Sequence, residues 1–299
     1  MVRTTAIPAA LLLPVSICAQ WINYREPGTP RLKDGKVNLS APAPRTADHK
    51  PDLTGVWMHQ PTPTAELQHL FCPGEPNCNL DSGFPGMNIE LQNKYGFDIL
   101  IDFDVAWLSS VTSRKPGAPI PTEPLMQPEA FASLLRRAAE RKFPDINRCN
   151  TDFGWPFAGM LSEPIKILQS NKETMILYEV GNLHRQIFTD GRKFPAEFNL
   201  PAYLGYSVGH WEGDTFVVET RGFNDKTPLD AALHPRSDVM RVVERFHRRD
   251  FGHLDVKMTF DDPKSYTQPF TIRVVHDLVP DNDIFEMFCE NEKDAAHIK

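Results

Sequence analysis

Residues 239–279 read VMRVVERFHRRDFGHLDVKMTFDDPKSYTQPFTIRVVHDLV, and alternation alone marks three strands in them. Successive side chains of a strand point to opposite sides, so every second residue shares a face. Met240, Val242, Glu244 and Phe246 form one such row, and Leu254, Val256, Met258 and Phe260 form the next across the turn at Asp250-Phe251-Gly252. Phe270, Ile272, Val274, His276 and Leu278 form a third. Rows this apolar belong on the inner side of a sheet. Two polar residues, Glu244 and His276, therefore point inward with them.

The same pattern extends in both directions. PIKILQS (164–170), TMILYEV (174–180) and LHRQIFT (183–189) follow one another, with turns at Asn171-Lys172 and Gly181-Asn182. GYSVGHW (205–211) and TFVVETRGF (215–223) flank Glu212-Gly213-Asp214, where glycine supplies the difficult dihedral of a tight turn. IFEMFCEN (284–291) reads as a last strand beyond Pro280-Asp281-Asn282-Asp283, and DLTGVWMHQ (52–60) as a short first one. From Pro164 onward short loops join the strands and no helix intervenes. Such a meander closes most naturally into an up-and-down barrel, which removes exposed edges. The expected fold is mainly β: an antiparallel up-and-down barrel with one helix and a Pro-rich N-terminal extension. That helix is PEAFASLLRRAAERK (128–142), with Ala130, Leu134, Leu135 and Ala138 on one face and Pro128 near its first turn.

Before the barrel the chain changes character twice. MVRTTAIPAALLLPVSICAQ (1–20) puts Arg3 ahead of an apolar run and ends in small residues around Ala19, the layout of a secretory signal peptide over residues 1–19. The run from Ala6 to Ile17 is about a dozen residues, where a membrane-spanning helix needs roughly twenty, and no later stretch reaches that length. Bulky Ile17 ahead of Cys18 argues against lipidation. Residues 20–50 are rich in Pro, Lys, Arg and Ala without periodicity and read as a flexible arm. Residues 51–299 then form a single domain, with a loop and helix insertion at about 61–163. The expected location is exported, either periplasmic or extracellular.

Cys72, Cys78, Cys149 and Cys289 remain after the signal, an even count that suggests two disulfides with three possible connectivities. Cys72 with Cys78 would close a small Pro/Gly loop and leave Cys149 for Cys289. The formal charge of −7 and the lack of a basic surface argue against nucleic acid as a partner. No CxxC or paired-histidine spacing marks a metal site; His247 and His253 flank one hairpin but lack a third ligand, and Asp261-Asp262-Pro263 lacks the spaced oxygens of a calcium loop. GxSxG, HExxH, GxGxxG and P-loop signatures are also absent, so neither cofactor nor metal is expected.

Two resemblances add to this reading. PDLTGVW (51–57) resembles the glycine-x-tryptophan start of lipocalin-like, calycin-type barrels, with Gly55 and Trp57 in the matching positions. Residues from about Cys149 to His297 resemble a widespread group of secreted bacterial β-rich proteins, through RQIFTDGR, GYSVGHWEGDTFVVET, GFND, ERFHRRDFGHL, DDPKSYTQPF and FCENEKD. The resemblance implies export and a β-rich fold and brings no activity with it. Arginine is expected in that group where this chain has His210, so no role is carried to that position.

The candidate site residues follow from face and motif. An inward carboxyl costs several kcal/mol unless it is paired, or else its pKa rises until it is neutral. Glu244 and His276 in one cavity would suit general acid–base chemistry. Alternatively, Glu244 pairs with an inward arginine, Arg185 or Arg273, and fixes the barrel register; the face of Arg273 opposes that role for it and leaves Arg185 the better partner. Arg185, Tyr206, Trp211 and Glu219 are candidates for ligand contact, with Asn224 a further one from the matching motifs. Tyr206 and Trp211 also suit core or rim positions. Asp190-Gly191-Arg192 reads as a turn, with Arg192 a possible anion contact. Three functions fit: an exported barrel that binds a small apolar or amphipathic molecule, a barrel enzyme of isomerase, cyclase or lyase type, and a filled barrel used for structure or surface interaction.

Overall fold

The computed structural model describes residues 24–60, 126–140, 154–160, 164–229 and 234–286. Nine strands lie within them: β1 (Gly55–His59), β2 (Ile165–Gln169), β3 (Glu173–Tyr178), β4 (Leu183–Phe188), β5 (Tyr206–Glu212), β6 (Thr215–Arg221), β7 (Arg241–Arg248), β8 (His253–Asp261) and β9 (Phe270–Leu278). Each strand pairs with its sequence neighbour, and β9 returns to β1, so the sheet closes into a barrel. The helix α1 (Pro128–Glu140) sits in the insertion between β1 and β2. No helix among the described residues is long and apolar enough to cross a membrane. The signal segment, the four later cysteines and most of the 61–163 insertion lie outside the described residues.

A ring with an odd number of strands cannot alternate direction all the way round, so one seam must be parallel. Closure is antiparallel, with Trp57 opposite Leu278 and His59 opposite His276. The parallel seam is β4–β5, and it holds only the pairs Ile187–Ser207 and Phe188–Val208. The wholly antiparallel meander expected from the sequence is corrected at this one place, where the long connection 189–205 interrupts the run of hairpins. A second correction concerns the end of the chain. Ile284–Glu286, the described part of the expected last strand 284–291, form no strand, and β9 takes β1 as its second neighbour; residues 287–291 lie outside the described residues.

Alternation builds the interior as the sequence implies. Val218, Val242, Leu254, Val256, Phe260 and Trp57 are all fully buried on inner faces, each side chain contributing about 1.5–3 kcal/mol by leaving water. One close approach depends on a missing side chain. A Cβ on Gly209 would stand 2.6 Å from Phe216 Cζ and 3.0 Å from Ile187 Cγ2, so glycine lets the Phe216 ring enter between β4 and β6. At the β5–β6 turn Gly213 adopts φ 61°, the left-handed conformation that a two-residue hairpin loop demands.

Both ends of the barrel carry covers. From Tyr24 onward the segment expected as a flexible arm is pinned to the hairpin loops of one end. Phe251 N donates to Ala41 O and Gly252 N to Leu39 O, both at 2.7 Å; Arg45 reaches Asp214 at 2.6 Å and Arg31 reaches Asp281 at 2.6 Å. Arg248 is the anchor beneath. Its guanidinium donates to the carbonyls of Asp52, Thr54, Asp250 and Phe251 and lies 4.8 Å from the centre of the Trp57 ring. The arm lacks hydrophobic periodicity because it builds no core of its own and is held by backbone contacts to the barrel. At the other end Gly154-Trp155-Pro156 is buried. Arg236 fastens that segment by donating to the carbonyls of Trp155 and Tyr203.

Candidate functional site

Arg185 on β4 and Glu244 on β7 meet inside the barrel although two strands separate them. Both are almost completely buried. Nη1 donates to Glu244 Oε1 at 3.0 Å and Nη2 to Oε2, so both carboxylate oxygens are engaged. The intervening strands supply the rest: Nε donates to Ser207 Oγ on β5 at 3.0 Å and Nη2 to Thr220 Oγ1 on β6 at 2.7 Å, while those hydroxyls share a hydrogen bond of 3.0 Å. Trp155 closes the cluster from above, its ring centre 4.0 Å from Arg185 Cζ and its other neighbour a stacked Phe223. Burial works against the guanidinium charge, yet Glu244 and Tyr178 hold the pKa of Arg185 above its ordinary value. Burial also raises the Tyr178 hydroxyl to about 12, with Arg185 opposing and Glu244 reinforcing the shift. Every charge in this cluster has its partner within the cluster.

His276 lies elsewhere. On β8, Glu244 stands opposite Met258 and His276 opposite Leu254, an offset of four residues, or about 13 Å at strand spacing. The neighbour of His276 is His59, its cross-strand partner on β1. The two rings meet edge to face, centroids 6.3 Å apart, and each residue is 4% exposed. Trp57 and Val274 flank them along their strands and Leu254 lies across from His276, all apolar and buried. Burial lowers the His59 imidazole to about 4; burial and the presence of His59 lower His276 to about 3, so both rings are neutral at ordinary pH. His59 Nε2 and His276 Nδ1 are buried without a hydrogen-bond partner among the described residues.

The remaining candidates do not converge on one place. Tyr206 faces outward at the start of β5, within an aromatic group formed with Phe188, Phe194 and Phe198; the Phe188 ring is 5.1 Å away. Glu219 also faces outward, on β6, where Arg241 grips it at 2.7 and 2.9 Å and Arg221 adds a third contact. Those bonds, Arg241's first, hold its carboxyl below the usual range. Trp211 lies on the inner row of β5 with Ser207 and Gly209 and packs on Phe216 at 5.1 Å. Asn224 is buried beside Arg236. Arg192 folds back on Asp190 at 2.6 Å and covers the Phe188 ring at 3.7 Å, and Asp262 after β8 accepts from Ser237 N at 2.7 Å, tying that turn to the segment before β7. A surface pocket of about 360 Å³ lies outside the β1–β9 seam between Tyr24, Gly55 and Asp281. Two ion pairs line it, Lys166 with Asp283 at 2.7 Å and Asp281 with Arg31 of the arm.

His59 was not among the residues singled out from the sequence. Its signal was present: Gly55, Trp57 and His59 alternate, so any strand through Trp57 carries His59 onto the inner face. The pairing with His276 depends on which strand closes the ring, and that is not a local property. The chain matches no family model, no curated protein and no solved structure, so the likeness to the secreted bacterial group gains no support from these comparisons.

Proposed function

We propose that the chain is an exported protein whose barrel receives a small, mainly apolar or amphipathic molecule in its interior. The observation that carries this reading is the contrast between two buried polar groups. The Arg185–Glu244 cluster is satisfied within itself, whereas His59 Nε2 and His276 Nδ1 face an apolar interior unpaired. A buried polar atom left unpaired costs about 1–3 kcal/mol, which a bound polar group would offset. Export rests on the signal layout of residues 1–19 and agrees with the even number of later cysteines. Acid–base chemistry by Glu244 with His276 has less support, because the offset along β8 keeps the two apart and both Glu244 oxygens accept from Arg185.

A filled barrel serving as a scaffold is the second reading, favoured by the Trp57, Phe216 and Phe260 side chains buried in one core and by the covers at both ends. One experiment separates the two. Protein recovered from the periplasm or medium is extracted and analysed by mass spectrometry, and its uptake of a polarity-sensitive apolar dye is measured. A small molecule recovered in stoichiometric amount, and lost in His59→Leu and His276→Leu variants that stay folded, supports the binding reading. Protein that yields no such molecule and takes up no dye leaves the scaffold.

A further inference from the structure

The geometry points to a neutral hydroxyl compound as the ligand class: we infer that one hydroxyl, on an otherwise apolar body, sits between His59 and His276. This inference rests on the interior-binding reading and narrows it. An imidazole that is uncharged has one ring nitrogen that donates and one that accepts. Two such rings at paired positions of β1 and β9 therefore suit a group that donates and accepts at once, and a hydroxyl does both through a single oxygen. Two hydrogen bonds of about 2.8 Å through a tetrahedral oxygen span about 4.6 Å between nitrogens, and at most about 5.6 Å. The ring centroids stand 6.3 Å apart with their planes at 75°, and neither His59 Nε2 nor His276 Nδ1 has a hydrogen-bond partner among the described residues.

The surrounding charges select against an acid. A carboxylate taken into an apolar interior requires a cation or several donors beside it. The buried guanidiniums among the described residues are already engaged: Arg185 holds Glu244, while Arg236 and Arg248 hold main-chain carbonyls. Asp277 and His253, the titratable residues beside the pair on β9 and β8, lie in the outward-facing register. The burial that keeps both imidazoles neutral also opposes forming an imidazolium to meet an anion. An alkane lacks any group for the two nitrogens, so it too is disfavoured, though less than the anion.

Dodecanol, dodecanoate and dodecane make the test, measured on the full chain near neutral pH by displacement of a bound apolar dye. Dodecanol binding roughly tenfold or more tightly than either of the others is expected, from one well-made hydrogen bond against an unpaired or desolvated group. That preference should vanish in His59→Leu and in His276→Leu, and should survive in part in His276→Asn, whose amide stands near the position of Nδ1. Denaturant unfolding of each variant establishes that it is folded. Dodecanoate binding as tightly as dodecanol, or a preference that survives both leucine variants, overturns the inference while the interior-binding reading stands. Equal binding of all three also overturns it, and assigns the space between the rings to an ordered water. Dye uptake with no displacement by dodecanol has the same consequence. Failure of the dye and of all three compounds to bind removes the interior-binding reading itself.

Discussion

Arg185 lies with its guanidinium carbon 4.0 Å above the Trp155 ring, so the ion pair it makes with Glu244 is sealed from the barrel end by an indole. Removing one partner would strand the other charge in that sealed space. Glu244→Gln and Arg185→Met should each cost about 3–5 kcal/mol, read from urea unfolding. The double variant Arg185→Met/Glu244→Leu should recover most of that loss, since replacing a buried pair by apolar groups is often neutral. A double variant as unstable as the singles would contradict the view that the pair is a self-contained register device.

Stability should fall as the solution is acidified through a window set by the histidines. His59 and His276 titrate at about 4 and about 3 in the folded chain, against 6.5 when unfolded. Between those values the unfolded chain binds protons that the folded one refuses, so stability is full above about pH 6.5 and declines toward about pH 3, by several kcal/mol in all. The exterior carboxylates act lower: Glu219, held below 4.5 by Arg241, loses its contribution only as pH falls through that range. A His59→Leu/His276→Leu variant should flatten the curve between about pH 6.5 and 4.5. An unchanged slope in unfolding free energy against pH would refute the assignment.

Gly209→Ala should destabilise by about 1–3 kcal/mol, because its new Cβ would press on the Phe216 ring at 2.6 Å. Phe216→Leu in the same background should restore part of the loss, which denaturation of the double variant would reveal. Additive losses would place the strain somewhere other than this contact.

Arg248→Met should free the segment before β1 without dissolving the barrel. The guanidinium grips four carbonyls, two of them in that segment, and burial has already brought its pKa down to about 10. Limited proteolysis should then cut within residues 24–52 while the strands resist, and Arg248→Lys should protect only partly because three donors replace a planar fork. Equal protease resistance in the wild type and Arg248→Met would show that the contacts of Arg31 and Arg45 suffice.

Alternation made most of this architecture legible in the sequence. Period-two rows identified β7, β8 and β9 and turned Glu244 and His276 inward, and the Gly213 turn marked the β5–β6 hairpin. Each of these depends on residues near one another in the chain. The parallel β4–β5 seam, the closure of β9 on β1, and the meeting of His59 with His276 depend on the count and shear of the whole ring. No window of sequence contains that information. The pinned arm was hidden for another reason: arginine bonds to carbonyl oxygens leave no hydrophobic pattern. Motif likeness also offered Tyr206 and Glu219 as candidates beside the inward Arg185, although the faces of neighbouring strands put the first two outside the barrel and the third within.

Arg248 and Arg236 hold the two covers by oxygen atoms that every amino acid possesses. A latch of that kind is indifferent to which side chains pass beneath it. Over generations the residues at 52, 54, 155 and 203 can drift as far as their own packing permits without loosening the grip, whereas the two arginines cannot be exchanged. The two positions that retain the covers by their main chain belong to the barrel's side of the contact, while Arg31, Arg45 and Trp155 add side-chain grips from the cover's side.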